Sequence, residues 1–202
     1  MADKFAIVTG ASTGIGFELA HIAAEAGYDL LVVANEPLID ASARDFQRHG
    51  VQVQAVEADL STITGVDQLL DAAHGRPIDI LCANAGVGTG GIFLDQPLAN
   101  WRHSIDTHIT GTVYLPQKVR NDMVARGDGK ALVTGSIAGY IPGSFNAVYN
   151  ATKAFIDNFC AAISNEIEDS KVTLTVLKPG ATDTDFFRRA DMLDTKVGQQ
   201  KK

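Results

Sequence analysis

Two rhythms of apolar and polar positions alternate along this chain. Nearly continuous apolar runs stand at Phe5 to Val8, Tyr28 to Ala34, Ile78 to Ala83, Ala131 to Thr134 and Val172 to Leu177, as in strands buried on both faces. Val51 to Val56 alternates apolar and polar residues and reads as a further strand. The intervening stretches carry helical spacing. After Gly16 the apolar set is Leu19, Ile22, Ala23 and Ala26, closed by Gly27. A second helix is expected over Leu38 to His49, closed by Gly50. Thr64 to Asp67 resembles a capping box that opens a short helix to Ala73. A long helix is expected over about Trp101 to Arg126, interrupted at Gly111 and bent at Pro116. Another is expected from about Ala147 to Asp169, and a short one over Asp183 to Ala190. Strand and helix in alternation predict an α/β fold: a Rossmann-type, doubly wound parallel sheet of about six strands between two helical layers. Residues 1–190 read as one nucleotide-binding domain, and 191–202 as a polar tail expected to be disordered.

Composition narrows the classes. The 202 residues are 46% hydrophobic and 20% charged, enough for a sizeable core and unlike a disordered chain. A net charge of −7 argues against a nucleic-acid partner, which calls for a basic face. No apolar run approaches the ~20 residues of a membrane span, and the apolar stretch at Phe5 is too short for a secretory leader. No membrane and a cytoplasmic setting are therefore expected. Cys82 and Cys160 form no disulfide framework, and the five histidines show no ligand spacing, so no catalytic metal is expected.

Thr9 to Gly16 reads TGASTGIG, between a strand and a helix. Gly10 permits a tight turn, while Gly14 and Gly16 remove side chains where backbone approaches a pyrophosphate and where helix packs on strand. The free N–H groups of the helix start then face an anion. Further on, Ser136 precedes Tyr149 by 13 residues, and Lys153 follows it by four. On a helix Tyr149 and Lys153 share a face, and an ammonium beside a phenol favours the phenolate. A tyrosine tuned downward in this way is a general acid–base near neutral pH. Alone, Y-x-x-x-K is equally the pattern of an ordinary exposed helix.

With these motifs in order over nearly its whole length, the chain resembles the short-chain dehydrogenase/reductase family. Thr9 to Gly16 matches the family's cofactor loop, which Ser12, Thr13 and Ile15 complete. Asp59-Leu60 matches the acidic position after the third strand that contacts adenine. Ala83-Asn84-Ala85-Gly86 matches the N-N-A-G element, with Ala83 in place of its first Asn. Pro179-Gly180 and Thr184, with Thr182 between them, match the element that closes over the nicotinamide. The resemblance implies hydride transfer between NAD(P)(H) and a carbonyl or alcohol carbon. Tyr149 is then the acid–base, Lys153 lowers its pKa and holds the nicotinamide ribose, and Ser136 polarises the substrate oxygen. A nucleotide-binding relic without turnover is the alternative.

Three departures stand out. Where family members often carry Asn in D-x-N-x-x-G, this chain has His108 in Asp106 to Gly111. Either His108 relays protons itself or backbone at the helix interruption does so while the imidazole packs. Ala34 replaces the carboxylate of a strict NAD enzyme, and Asn35 and Thr13 replace the basic residues of an NADP enzyme. The polar pocket of Ser12, Thr13 and Asn35 leans toward NADP(H), although Glu36 would repel a 2′-phosphate. Family members also run about 50 residues further, to a helix and a seventh strand. Here the strand over Val172 to Leu177 is therefore an expected sheet edge able to pair with another chain.

Loops Val87 to Phe93, Tyr140 to Val148 and Ala181 to Arg189 are the expected substrate walls. They offer Phe93, Tyr140, Ile141, Phe145, Phe186 and Phe187, which suits a small, rather apolar carbonyl or alcohol. The resemblance also implies a homodimer through the helices at 101–126 and 147–169.

Overall fold

The computed structural model describes residues 4–182, 184–190 and 192. Asp183 and all of the expected tail except Met192 lie outside the described residues. Six strands form a parallel sheet in the order β3-β2-β1-β4-β5-β6. They are β1 (Phe5–Thr9), β2 (Asp29–Ala34), β3 (Val53–Glu57), β4 (Ile80–Ala83), β5 (Lys130–Thr134) and β6 (Thr173–Leu177). The helices are α1 (Gly14–Glu25), α2 (Leu38–Phe46), α3 (Ile63–Ala72), α4 (Leu98–Ile105), α5 (Thr112–Arg126), α6 (Ala147–Glu166) and α7 (Phe186–Arg189). Strand order reverses between β1 and β4, and a crevice opens there beyond the carboxyl ends of the strands.

The central strands are buried on both faces, so each side of the sheet carries its own core. Ile7, Leu31, Leu69, Leu81 and Met123 belong to one; Val8, Leu30, Val32, Ile39 and Phe46 belong to the other. β6 has β5 as its neighbour and forms the sheet's margin, and Thr173 and Thr175 on it are exposed.

Three local expectations need correction. In α1 the buried arc is Gly16, Ala20, Ala23 and Ala24, whereas Ile22 is 61% exposed and Ala26 is also exposed. Gly16 must face the turn, and that requirement sets the helix phase ahead of side-chain hydrophobicity. α3 opens at Ile63, with Thr62 as its cap: the Thr62 hydroxyl accepts from Gly65 N at 2.9 Å. The long helix begins at Leu98, and its break falls at 106–111 as a π-turn one turn ahead of Pro116, which sits inside α5. The extra residue in that turn directs Thr107, His108 and Gly111 inward.

Candidate active site

The crevice is a cleft of about 750 Å³ that runs from the end of β2 to α6. One end is built from backbone. Gly10 follows β1 with φ +65°, and a Cβ there would lie 2.9 Å from Ala85 Cα. Gly16 is tighter still: a Cβ would lie 2.1 Å from the Gly10 carbonyl oxygen. Two glycines thus let the chain fold back on itself and leave the turn's N–H groups at the cleft wall. Thr9 braces this turn, because its Oγ1 accepts from both Asn84 N and Ala85 N at 2.9 Å.

Gly10 and Ser12 to Ile15 line the cleft, as do Asn35, Asp59, Leu60, Asn84, Ala85, Gly86, Pro179, Gly180, Thr182 and Thr184. Gly16 does not line it; it lies buried behind the turn. The Asn84 side chain serves the frame rather than the open space. Its amide nitrogen donates to the Thr9 carbonyl at 3.2 Å, and its oxygen accepts from Thr134 Oγ1 at 3.0 Å, tying the ends of β1, β4 and β5 together.

The other end is built from side chains. Ser136 follows β5, and Tyr149 and Lys153 sit one turn apart on α6. Ser136 lies beside Tyr149 on the cleft wall, and its Oγ accepts from Ala138 N at 3.1 Å. Lys153 Nζ donates to the Thr134 carbonyl oxygen at 2.7 Å and lies 5.6 Å from the Tyr149 ring centroid. Lys153 is 3% exposed. Burial pulls its pKa down to about 8, opposed by the negative charge of Asp157 one turn further along α6. The expected downward tuning of Tyr149 is absent from this arrangement: burial pushes its pKa up, and the nearby Ser136 hydroxyl offsets that only partly. Desolvation of the phenolate is the largest influence, and the Lys153 ammonium is held by a carbonyl instead.

His108 is fully buried with both ring nitrogens engaged. Val87 N–H donates to Nε2 at 3.1 Å, which leaves the proton on Nδ1, and Nδ1–H donates to Thr152 Oγ1 at 2.9 Å. Thr152 Oγ1 in turn donates to the Tyr149 carbonyl at 2.8 Å. Burial, with the charge of Lys153 behind it, holds the imidazole pKa well below its ordinary value. Of the two readings of His108, these bonds favour packing: the imidazole ties the loop after β4 and α6 to the π-turn.

Of the expected substrate-facing side chains, Ile141, Phe145, Phe186 and Phe187 line the cleft. Phe93 and Tyr140 do not. Phe93 packs on Trp101 with ring centroids 6.3 Å apart, and the Tyr140 hydroxyl accepts from Lys178. Sequence reasoning also missed a charge. Arg189 Nη1 donates to Glu36 Oε1 at 2.9 Å on the cleft wall, so the region after β2 is not without a cation. No local pattern could have shown this, because the contact spans 153 positions.

Comparison with known proteins places these features. The sequence profile described as short chain dehydrogenase matches residues 4–192. An uncharacterized oxidoreductase of Staphylococcus epidermidis is 30% identical over 197 residues, covering 96% of this chain and 84% of the relative. A 3-oxoacyl-[acyl-carrier-protein] reductase of Synechocystis is 30% identical over 190 residues, covering 92% and 77%. Among solved structures, a short-chain dehydrogenase from Sphingobium yanoikuyae in complex with NADPH superposes with a TM-score of 0.90. Its identity is 30%, over 98% of this chain and 78% of that one.

Proposed function

The chain belongs to the short chain dehydrogenase family of oxidoreductases, and from that premise we propose that it interconverts a carbonyl and an alcohol with NAD(P)(H), using Tyr149 as acid–base. The residues present fit a dinucleotide. The glycine turn offers close backbone approach and free N–H groups at one end of the cleft, and the volume suits a ligand of that size. The Sphingobium relative holds NADPH, which supports the same class of cofactor here. When bound, the nicotinamide supplies or accepts the hydride.

The protein's own residues then do three things. Ser136 holds the substrate oxygen beside the Tyr149 hydroxyl. Tyr149, whose pKa burial raises from the ordinary phenol value, donates its proton to the developing alkoxide in reduction. Lys153 carries its charge below about pH 8 and stabilises the phenolate left behind. Ile141, Phe145, Phe186 and Phe187 form an apolar wall that excludes water, in keeping with a small and rather apolar substrate. A homodimer through the 101–126 and 147–169 helices belongs to the same reading.

One observation carries the proposal: Ser136, Tyr149 and Lys153 converge at one end of a cleft whose other end is the glycine cradle. The test is NAD(P)H oxidation by purified protein against a panel of ketones and aldehydes. Turnover of at least one apolar carbonyl is the expected result. Nucleotide binding without turnover of any compound would instead favour a binding protein that has lost catalysis.

A further inference from the structure

Choosing between a ribose 2′-hydroxyl and a 2′-phosphate takes charge at the adenosine end of the cleft. The glycine turn supplies none, since Ser12, Thr13 and Asn35 are neutral. The tertiary structure nevertheless brings two charges there. Glu36 stands two residues beyond β2 and 20 beyond Gly16, the distance at which an acidic residue reaches the ribose in dinucleotide folds. Its Oε1 accepts from Ser12 Oγ at 2.6 Å and from Arg189 Nη1 at 2.9 Å. Both bonds fall on one oxygen. Among the described residues Oε2 has no hydrogen-bond donor, and Nε and Nη2 of Arg189 have no acceptor. Each partner thus keeps one open edge on the cleft wall.

Arg189 arrives there because the chain after Pro179-Gly180 lies down on the glycine turn. The Thr184 methyl carbon would stand 3.2 Å from a Cβ placed on Gly14. The neighbouring cation is already taken, since Arg188 pairs with Asp185 at 2.9 Å. Lys153 and Arg189 are the lysine and arginine of the described cleft wall, and Lys153 is bonded to the Thr134 carbonyl at the far end. Arg189 is therefore the cation within reach of an anion near Glu36. A guanidinium fork that uses one nitrogen on a carboxylate still presents two donors to a phosphate.

We infer that Glu36 and Arg189 together set cofactor selection, with the open carboxylate oxygen accepting from a ribose 2′-hydroxyl and the open edge of Arg189 receiving a 2′-phosphate. This rests on the nucleotide-binding reading above and makes Arg189 a specificity-determining residue from a segment outside the glycine turn. A lone Glu36 would exclude NADP(H). The pair accepts either cofactor, and removing one member tips the balance.

The test uses fragments that carry no nicotinamide, so turnover does not enter. Binding of 5′-AMP and of 2′,5′-ADP is measured by calorimetry on the parent chain, Arg189→Ala, Arg189→Lys and Glu36→Gln. Arg189→Ala is expected to weaken 2′,5′-ADP by about tenfold or more and 5′-AMP by less than about threefold. Arg189→Lys restores part of the loss. Glu36→Gln weakens 5′-AMP by a few-fold and tightens 2′,5′-ADP. A ratio of the two affinities that stays within about twofold of the parent's in Arg189→Ala overturns the inference. So does an equal loss for both fragments, which would place Arg189 on the shared 5′-phosphate. If the parent chain binds neither fragment, the nucleotide site itself fails and the inference with it; if it binds both and only the ratio refuses to move, the nucleotide site stands and this inference alone falls.

Discussion

The two ends of the cleft are made of different material. The end after β1 is backbone: a turn in which Gly16 leaves 2.1 Å between a would-be Cβ and the Gly10 carbonyl, braced by one threonine. The other end is side chains from β5, the π-turn and α6, most of them buried, with pKa values that burial moves further than neighbours do. A backbone cradle is specified over about a dozen consecutive residues and tolerates no added atom. A side-chain site is specified by contacts dozens of positions apart, and its chemistry depends on which group is desolvated. Changes at the first end should therefore act on binding and folding together, and changes at the second on rate and pH dependence.

The largest effect is expected from Gly16→Ala. The clash is with backbone, which cannot swing away, so a loss of about 3 kcal/mol or more in stability is expected together with nucleotide binding. Thermal unfolding and a nucleotide titration on the same sample check both. A variant that keeps the parent's melting temperature would break the contrast between the two ends.

Next comes His108→Ala, which leaves the Val87 N–H and the Thr152 hydroxyl without their buried partner. A cost of about 2–3 kcal/mol follows, a fall of roughly 4–12 °C in melting temperature. If the imidazole only packs, the pH limbs of the residual activity should coincide with the parent's. A limb that disappears in the variant would return His108 to the proton path.

The smallest effect tests the electrostatics of α6. Lys153 is charged below its pKa of about 8, so kcat/KM for carbonyl reduction should fall as pH rises through that value. Asp157 raises the Lys153 pKa, so Asp157→Asn should move this limb to lower pH, by less than about one unit. A limb that moves upward, or stays put, contradicts the assignment. The same burial has a stability consequence. The folded-state pKa lies below the unfolded 10.5, so the unfolded chain binds the extra proton between about pH 8 and 10.5. Stability from this group therefore rises with pH across that window and is lowest below it.

Much of the fold was legible in the sequence because it is local. Apolar runs such as Phe5 to Val8 read as strands buried on both faces, and the glycines of 10–16 announce the turn that follows. The phase of α1 was misread because side-chain hydrophobicity favoured Ile22, while the need to press Gly16 against the turn decided the matter. That Tyr149 and Lys153 share a helix face was legible from spacing, and the family resemblance added Ser136 to them. Their acidities were not, because the expected pull of Lys153 on Tyr149 takes no account of desolvation, which only the packed structure sets. Arg189 on Glu36 was out of reach for a plainer reason: nothing within a window of sequence records a contact made across 153 positions.

The central claim is that binding and chemistry are housed separately, with Tyr149 serving only the second. The most direct measurement is a paired one on Tyr149→Phe: the dissociation constant for NADPH and the turnover of the best carbonyl found for the parent. Removing one hydroxyl is expected to reduce turnover by about 10³-fold or more while nucleotide affinity stays within about threefold. Turnover that survives in the variant, or nucleotide binding that collapses with it, would contradict the account.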